Sequence, residues 1–148
     1  MNTLVAAVAA RCTALVASQF FDDPNTEGVG VPITVHAHAL PVVDTPDDRA
    51  EQSPYVVVRL VGIEESAGKY TSIVRIIGEI YTADGVAEGM ADLLRLVDCL
   101  RPLVERGPGN IAGYKLIPPI VWQLGDRETG NQPHPFYQFQ ADLRFAGV

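Results

Sequence analysis

Apolar residues recur along this chain with two different spacings, and each spacing predicts one type of secondary structure. Near the N-terminus they recur at steps of three and four between Leu4 and Leu15, which predicts an amphipathic helix. A second stripe of the same kind predicts a helix over 86–106. Pro102 should bend the last turns of that helix, because proline donates no backbone hydrogen bond.

Alternation of apolar and polar residues predicts five strands. Two of them should form a hairpin, and their connection at 64–69 contains Gly68, which favours a longer loop. The strand that contains Pro118 and Pro119 is expected at an edge of the sheet or at a bulge. The predicted strands are 31–40, 55–63, 70–81, 114–125 and 136–145.

Turn-forming residues cluster in 22–30, 41–54 and 126–135, and these segments are predicted to be loops. The elements then follow in the order helix, strand, hairpin, helix and two strands. This order predicts an α+β fold, in which a mostly antiparallel β-sheet is backed by two helices. A chain of 148 residues is long enough for one core, so we expect a single domain over residues 1–148.

Composition narrows the range of functions. The net charge is −7 and no run of Lys or Arg occurs, which argues against nucleic-acid binding as the main activity. Cys12 and Cys99 fall in predicted helices and are expected to be buried free thiols. The apolar run from Leu4 to Ala10 ends at Arg11 and is too short to cross a bilayer, which takes about 20 residues. We therefore expect a packed helix there rather than a signal peptide or membrane anchor.

Two histidines stand one residue apart in the segment "VPITVHAHALPVVDTPDD". On one strand, His36 and His38 would share a side with Cα atoms roughly 6.6 Å apart, which could hold one metal ion. A zinc site needs at least three protein ligands, and no third ligand stands at a fixed spacing from the pair. We interpret the pair as the polar face of a strand, and a metal site is the alternative. Candidates for a third ligand are Asp44, Asp47, Asp48 and His134.

Sequence patterns of catalysis and cofactor binding are not found. There is no GxSxG motif, and neither cysteine is next to a histidine that could act as a general base for it. The glycine-rich stretches "GVGV" and "GPGN" match neither the dinucleotide-binding fingerprint nor the phosphate-binding loop. We therefore expect no enzymatic activity, no cofactor, and no catalytic or metal-binding residues.

Both faces of the predicted hairpin are strongly apolar, and charged residues lie on only one of them. Two helices can cover about four strands, and only on one side. The face with the charges should therefore lack a cover, which is typical of a subunit contact. Alternatively, loops 41–54 and 125–135 fold over it. The residues predicted to form the contact are Tyr55, Arg59, Arg75, Glu79 and Tyr81, together with Asp47, Asp48 and Arg49 of a loop that reaches a neighbour.

From residue 54 to the end the chain resembles the tail terminator proteins (tail completion or minor tail proteins) of long-tailed bacteriophages. The resemblance lies in "PYVVVRLVG", "YTSIVRIIGEIYTADG", "GMADLLRLVDCLRPLVERG", "IAGYKLIPPIVWQLGD" and "PHPFYQFQADLRF". These are patterns of apolar strands and turns rather than catalytic signatures. The stretch 22–53 does not match in detail.

This resemblance implies a structural subunit that forms a ring with itself, usually a hexamer. The ring would bind the last tier of tail tube protein, stop tube growth and present a surface to the neck and head-completion proteins. DNA would pass through its pore without specific binding. Such a protein is assembled in the host cytoplasm and is located at the tail and neck of the virion. The alternatives are another head–tail connector or neck ring protein, or a small oligomeric metal-binding α+β enzyme that uses His36 and His38.

Overall fold

A computed structural model of the protein describes residues 2–39, 53–105, 111–125 and 135–147. The described residues form two long helices, one short helix and seven strands. In chain order these elements are α1 (Asn2–Val16), β1 (Phe20–Asp23), β2 (Thr26–Pro32), β3 (Thr34–Ala37), β4 (Tyr55–Ser66), β5 (Lys69–Tyr81), α2 (Val86–Leu100), α3 (Pro102–Glu105), β6 (Tyr114–Leu124) and β7 (Phe136–Gly147).

Five strands form the main sheet, in the order β3-β4-β5-β7-β6. β3 runs parallel to β4, and every other neighbouring pair is antiparallel. The predicted α+β class with a mostly antiparallel sheet is therefore confirmed. Strand β6 lies at one edge, and its pairing with β7 shifts register between Ile117 and Val121. This matches the expectation for Pro118 and Pro119, since proline donates no hydrogen bond to a ladder.

Both long helices pack on the same face of the main sheet. α1 lies against β3 and β4, α2 lies against β5 and β7, and the helices also contact each other. The core between these layers contains fully buried side chains such as Ile76, Leu93 and Phe139. Cys12 is buried as expected, whereas Cys99 is only half-buried and the prediction for it was wrong. Cys99 lies beside Leu100 on α2, at a position that the helical turn places at the border of the buried stripe.

Two glycines allow aromatic rings of β7 to pack closely in this core. A Cβ atom on Gly78 would lie 2.1 Å from Cε1 of Phe139, and one on Gly89 would lie 2.2 Å from Cζ of Tyr137. Neither contact leaves room for a methyl group. Glycine normally weakens the interior of a helix. At position 89 of α2 it is needed because the Tyr137 ring occupies the space that a side chain would fill.

The second predicted helix is interrupted where proline was expected to disturb it. α2 ends at Leu100, Arg101 lies in a turn, and α3 begins at Pro102. The N–H of Arg101 still donates to the Val97 carbonyl at 3.0 Å, so the helical path continues to the residue before the proline. Arg101 keeps helical φ and ψ angles of −54° and −35°, although proline disfavours this conformation in the residue before it.

The segment after α1 was predicted incorrectly. Residues 22–30 were expected to be a loop, but much of this segment belongs to the β1–β2 hairpin, whose turn contains Pro24 and Asn25. The side chain of Asp23 accepts a hydrogen bond from the Asn25 N–H at 2.9 Å, which stabilises this turn. The predicted single strand over 31–40 is also wrong. It is divided at Ile33, so that the part before Ile33 pairs with β1 and the part after it pairs with β4.

The connection between β4 and β5 is shorter than predicted. Instead of a loop over 64–69, the strands continue to a two-residue turn of Ala67 and Gly68, whose φ angles are 51° and 76°. Positive φ at both residues is typical of the hairpin turn that matches strand twist. Alanine rarely adopts this conformation, which explains why the sequence did not indicate the turn. The β4–β5 ladder also contains a bulge between Leu60 and Gly62.

Candidate functional site: the outer face of the main sheet

We define the outer face as the side of the main sheet that points away from α1 and α2. Its members follow from strand register, because side chains directly opposite each other on paired strands share a face. They come from all five strands. Gly62 is opposite Ile73, and Val61 is the extra residue of the bulge beside it, so both oppose Ile73. The outer face contains Thr34, His36, Tyr55, Val57, Arg59, Val61, Gly62, Ile73, Arg75, Ile77, Glu79, Tyr81, Ile117, Val121, Gln123, Gln138, Gln140, Asp142 and Arg144.

The apolar residues of the outer face differ in exposure along the strands. Val57 is buried, whereas Ile73 and Ile77 are only partly buried although they lie on the central strand β5. Val61 is 38% exposed, and Val121 on the edge strand is 69% exposed. The outer face therefore presents aliphatic side chains to solvent on β4 and β6, and partly exposed ones on β5, which lies between them. On the core face, Val74, Ile76 and Ile80 of β5 are fully buried.

Ion pairs within the chain neutralise several charges of the outer face. Arg75 donates two hydrogen bonds to Asp142, from Nε to Oδ1 at 2.8 Å and from Nη2 to Oδ2 at 3.2 Å. The hydrogen bond to Asp142 raises the pKa of the Arg75 guanidinium. Arg144 forms an ion pair with Glu64. These pairs join β5 to β7 and β7 to β4, so they also hold the register of the sheet.

Glu79 is a buried carboxylate that is satisfied by neutral donors. Its Oε2 accepts a hydrogen bond from Ser53 Oγ, and its Oε1 accepts one from Gln138 Nε2 at 2.7 Å. Ser53 is also buried, and Tyr55 lies opposite Glu79 on the neighbouring strand. A buried carboxylate without such donors would be strongly destabilising. Through these two hydrogen bonds, Glu79 on β5 links Ser53, which lies just before β4, to Gln138 on β7.

Arg59 differs from the other charged residues of the outer face. It is exposed and lies directly opposite Arg75 on the neighbouring strand. In the part of the chain that the structure describes, no carboxylate forms an ion pair with Arg59. Like charges at directly opposite positions repel each other. Since Asp142 already binds Arg75, Arg59 is the residue of this pair that remains available.

The structure thus divides the predicted contact residues. Tyr55 and Glu79 are buried, and Arg75 is paired with Asp142. Tyr81 is half-buried, and its ring lies 5.4 Å from the ring of Phe136. Only Arg59 is both exposed and without a charged partner among the described residues. Asp47, Asp48 and Arg49, which were also predicted to form the contact, lie outside the described residues, as do most of the two loops that were the alternative cover.

The two histidines do not form the predicted pair on one strand. His36 lies on β3 opposite Val57, and partial burial lowers its pKa. His38 follows the end of β3, has a φ of 76°, and donates its N–H to the Val58 carbonyl at 2.7 Å. The alternation that would place both rings on one side therefore stops at Ala37. Within residues 2–39, 53–105, 111–125 and 135–147, no group of three His, Cys, Asp or Glu side chains could hold a metal ion. The third ligands considered above lie outside these ranges.

An acidic surface on the β1–β2 hairpin was not recognised in the sequence. It borders an open cleft of about 690 Å³ that is lined by four carboxylate side chains, together with Tyr81. Partial burial, followed by the charges of Asp92 and Asp84, raises the pKa of Asp22, and Arg95 opposes this rise. The sequence signal was the density of acids in "DDPNTEG", but their proximity to α2 depends on the tertiary fold. The four acids are Asp22, Asp23, Glu27 and Asp84.

Arg95 on α2 fixes the beginning of this hairpin. Its guanidinium donates to Oε1 of Gln19 and to the carbonyl of Phe20, both at 3.0 Å. The same group lies over the ring of Phe21, 3.9 Å from the ring centroid. The cation–π contact and the hydrogen bonds that the charged guanidinium donates both stabilise this arrangement. The hairpin is therefore attached to the helical layer rather than to the outer face.

Comparison with known proteins leaves the family of this chain open. No protein-family model matches it, and no curated protein is significantly similar to it. In the described residues, none of the helices is long and apolar enough to cross a membrane. The candidate functional surfaces among the described residues are the outer face and the acidic β1–β2 hairpin.

Proposed function

We propose that this protein is a structural subunit of a bacteriophage virion, and that it assembles into a ring at the head-proximal end of the tail tube. The ring stops tube polymerisation and joins the tail to the neck and head. It is built in the host cytoplasm and remains in the tail and neck of the virion. The observation that carries this proposal is the outer face, a sheet surface that no helix of the described residues covers and on which aliphatic residues exposed to solvent lie among charged ones.

The exposure of aliphatic residues supports assembly through this face. An antiparallel sheet with one solvated face normally carries polar residues there. Here Val61 and Val121 are exposed, and Ile73 and Ile77 are partly exposed. Contiguous apolar surface on a soluble protein is typical of an interaction site. A second copy that covers this region would remove the aliphatic side chains from water, while the interspersed charges would select the correct partner.

The charge of the chain supports a ring through which DNA passes. The net charge of −7 gives the assembled ring a negative surface, and this surface repels phosphates. Tight DNA binding requires many Lys or Arg contacts to the phosphate backbone, and the chain has only 11 such residues among 148. DNA can therefore move through the pore without being held by it.

Light scattering on a size-exclusion column, over a range of protein concentrations, tests the ring directly. We expect a homo-oligomer whose negative-stain images show an axial hole, and we expect purified rings to block the growth of tail tube polymers. A matched pair of variants localises the contact. Val121→Gln on the outer face should weaken assembly, because Val121 is 69% exposed there. Leu94→Gln should not, because Leu94 is 46% exposed on α2 at the helical side.

Two results would contradict the proposal. One is a chain that stays monomeric at every concentration and neither binds nor caps tube ends. The other is a ring that loses subunits with Leu94→Gln but not with Val121→Gln, which would place the contact on the helical side of the molecule.

A further inference from the structure

The outer face carries a positive charge that its own described chain leaves unpaired. Arg59 and Arg75 lie opposite each other, and only Arg75 is neutralised, by its two hydrogen bonds to Asp142. Arg59 is exposed, with Val57 and Val61 at the alternate positions of the same strand. An ion pair in such partly apolar surroundings is stronger than one in open solvent. A partner with carboxylates would therefore be complementary to this part of the outer face.

The β1–β2 hairpin carries the complementary charge. Four carboxylates line its cleft, and no Lys or Arg is among the described residues that line it. The raised pKa of Asp22 reflects partial burial and the nearby charges of Asp92 and Asp84. A cation from outside the chain would relieve this repulsion. Glu27 is the most suitable of these acids for a test, because it is exposed and its side chain forms no hydrogen bond or ion pair within the described part of the chain.

The hairpin also has the exposure that a contact requires. Six of the seven residues of β2 are exposed, and within the described strands β2 pairs only with β1. Phe20 is 56% exposed and Val29 is 43% exposed, so the hairpin offers apolar as well as acidic side chains. Arg95 fixes its beginning, which lowers the entropy lost on binding. The β1–β2 hairpin is thus an exposed, anchored and acidic arm.

We propose that the β1–β2 hairpin of one copy of this chain docks on the outer face of a second copy, where its carboxylates meet Arg59 and its apolar residues meet the exposed aliphatic ones. This contact rests on the proposed ring and specifies how its subunits join. The two surfaces belong to different parts of one chain, so the contact is head-to-tail, the type of contact that forms a ring when the rotation between neighbouring subunits closes. Contact between two outer faces would instead bring Arg59 of both copies into the same interface.

Charge reversal of each surface, alone and in combination, tests the contact. Arg59→Glu and Glu27→Lys should each lower the association constant on the order of tenfold or more, since like charges then face each other. An equimolar mixture of the two variants should recover most of the association, because native and reversed pairs then alternate around the ring. Arg11→Glu is the control for Arg59→Glu, since Arg11 is exposed on α1 and both substitutions lower the net charge by the same amount. Light scattering gives the association, and circular dichroism verifies that each variant is folded.

The outcomes separate this contact from the ring itself. Wild-type rings that neither Arg59→Glu nor Glu27→Lys weakens would overturn the hairpin contact and leave the proposed function intact. Loss of association with both variants but no recovery in the mixture would also overturn the direct pairing. A wild-type chain that remains monomeric at every concentration and neither binds nor caps tube ends would overturn the ring and the contact together.

Discussion

The two faces of the main sheet are made by the same strands but differ in burial and in charge. On β5, Ile76 faces the helices and is fully buried, whereas the adjacent Ile77 faces outward and remains partly exposed. The core face excludes charge, and the outer face combines aliphatic residues with Arg59, Arg75 and Asp142. The difference indicates that alternation along one strand divides its side chains between the core and the surface proposed above as a subunit contact. Mutations on the two faces should therefore affect different measurements.

The largest effect is expected from shortening a core side chain. Ile76→Ala should lower the free energy of unfolding by about 2–5 kcal/mol, because it removes buried methyl groups and leaves a cavity. Ile77→Ala is the matched variant on the outer face and should cost less than about 1.5 kcal/mol, since this side chain is already partly exposed. Urea unfolding of both variants measures this difference. Equal losses would mean that the outer face is packed as tightly as the core.

A second comparison uses glycines on opposite faces. Gly78→Ala should destabilise the protein by about 1–3 kcal/mol, because its Cβ atom would lie 2.1 Å from the Phe139 ring. Gly62→Ala, on the outer face, places its Cβ 3.7 Å from Cδ1 of Ile73, which is an ordinary contact. It should be neutral or slightly stabilising, because alanine restricts the unfolded chain. Thermal and urea unfolding test both, and a stable Gly78→Ala protein would show that the ring of Phe139 moves easily.

The pH dependence of stability tests whether water is excluded from the core around Cys12. Burial raises the pKa of the Cys12 thiol to about 12, from 9.0 for an unperturbed cysteine. Above pH 9 the unfolded chain loses a proton that the folded chain keeps. The contribution of Cys12 is therefore complete below pH 9 and is lost as pH rises toward 12, by up to about 1.4 kcal/mol per pH unit.

Urea unfolding of wild type and Cys12→Ala between about pH 8 and about pH 10.5 isolates this contribution, because other titrating groups affect both proteins. Wild type should lose stability more steeply than Cys12→Ala. Parallel pH profiles would show that water reaches the thiol in the folded protein.

The smallest effect concerns the ion pair on the outer face. A double-mutant cycle of Arg75→Ala and Asp142→Ala should give a coupling energy of roughly 0.5–1 kcal/mol that decreases with added salt. The side chains of this pair are 21% and 34% exposed. The control pair, Arg101 and Asp98, is 52% and 68% exposed and should show weaker coupling. Similar coupling in both pairs would mean that solvent screens charges on the outer face as strongly as on the helix surface.

This geometry also changes which residue best tests assembly. Arg75 is among the predicted contact residues, but Arg75→Glu would place a second carboxylate beside Asp142 and weaken the sheet as well as the contact. Arg59→Glu alters the same region without breaking an ion pair of the described chain. A loss of association with Arg59→Glu is therefore easier to interpret.

Local patterns predicted most elements because helix and strand periods are set by neighbouring residues. The β1–β2 hairpin was missed for a physical reason: β2 is exposed on both faces, so it lacks the apolar alternation that identifies a strand. The predicted histidine pair failed because His38 adopts a left-handed conformation after the strand has ended. Both errors concern segments whose conformation depends on contacts with distant parts of the chain.

By itself, the sequence determined which side of β4 and β5 is wholly apolar and therefore covered by helices. It also indicated that the other side combines aliphatic and charged residues. Only the tertiary structure decided which of those charges is satisfied. Arg75 binds Asp142, which is 67 residues away, and Arg59 is left exposed opposite it. This choice depends on the register between strands that are distant in sequence, and no local pattern along the chain specifies that register.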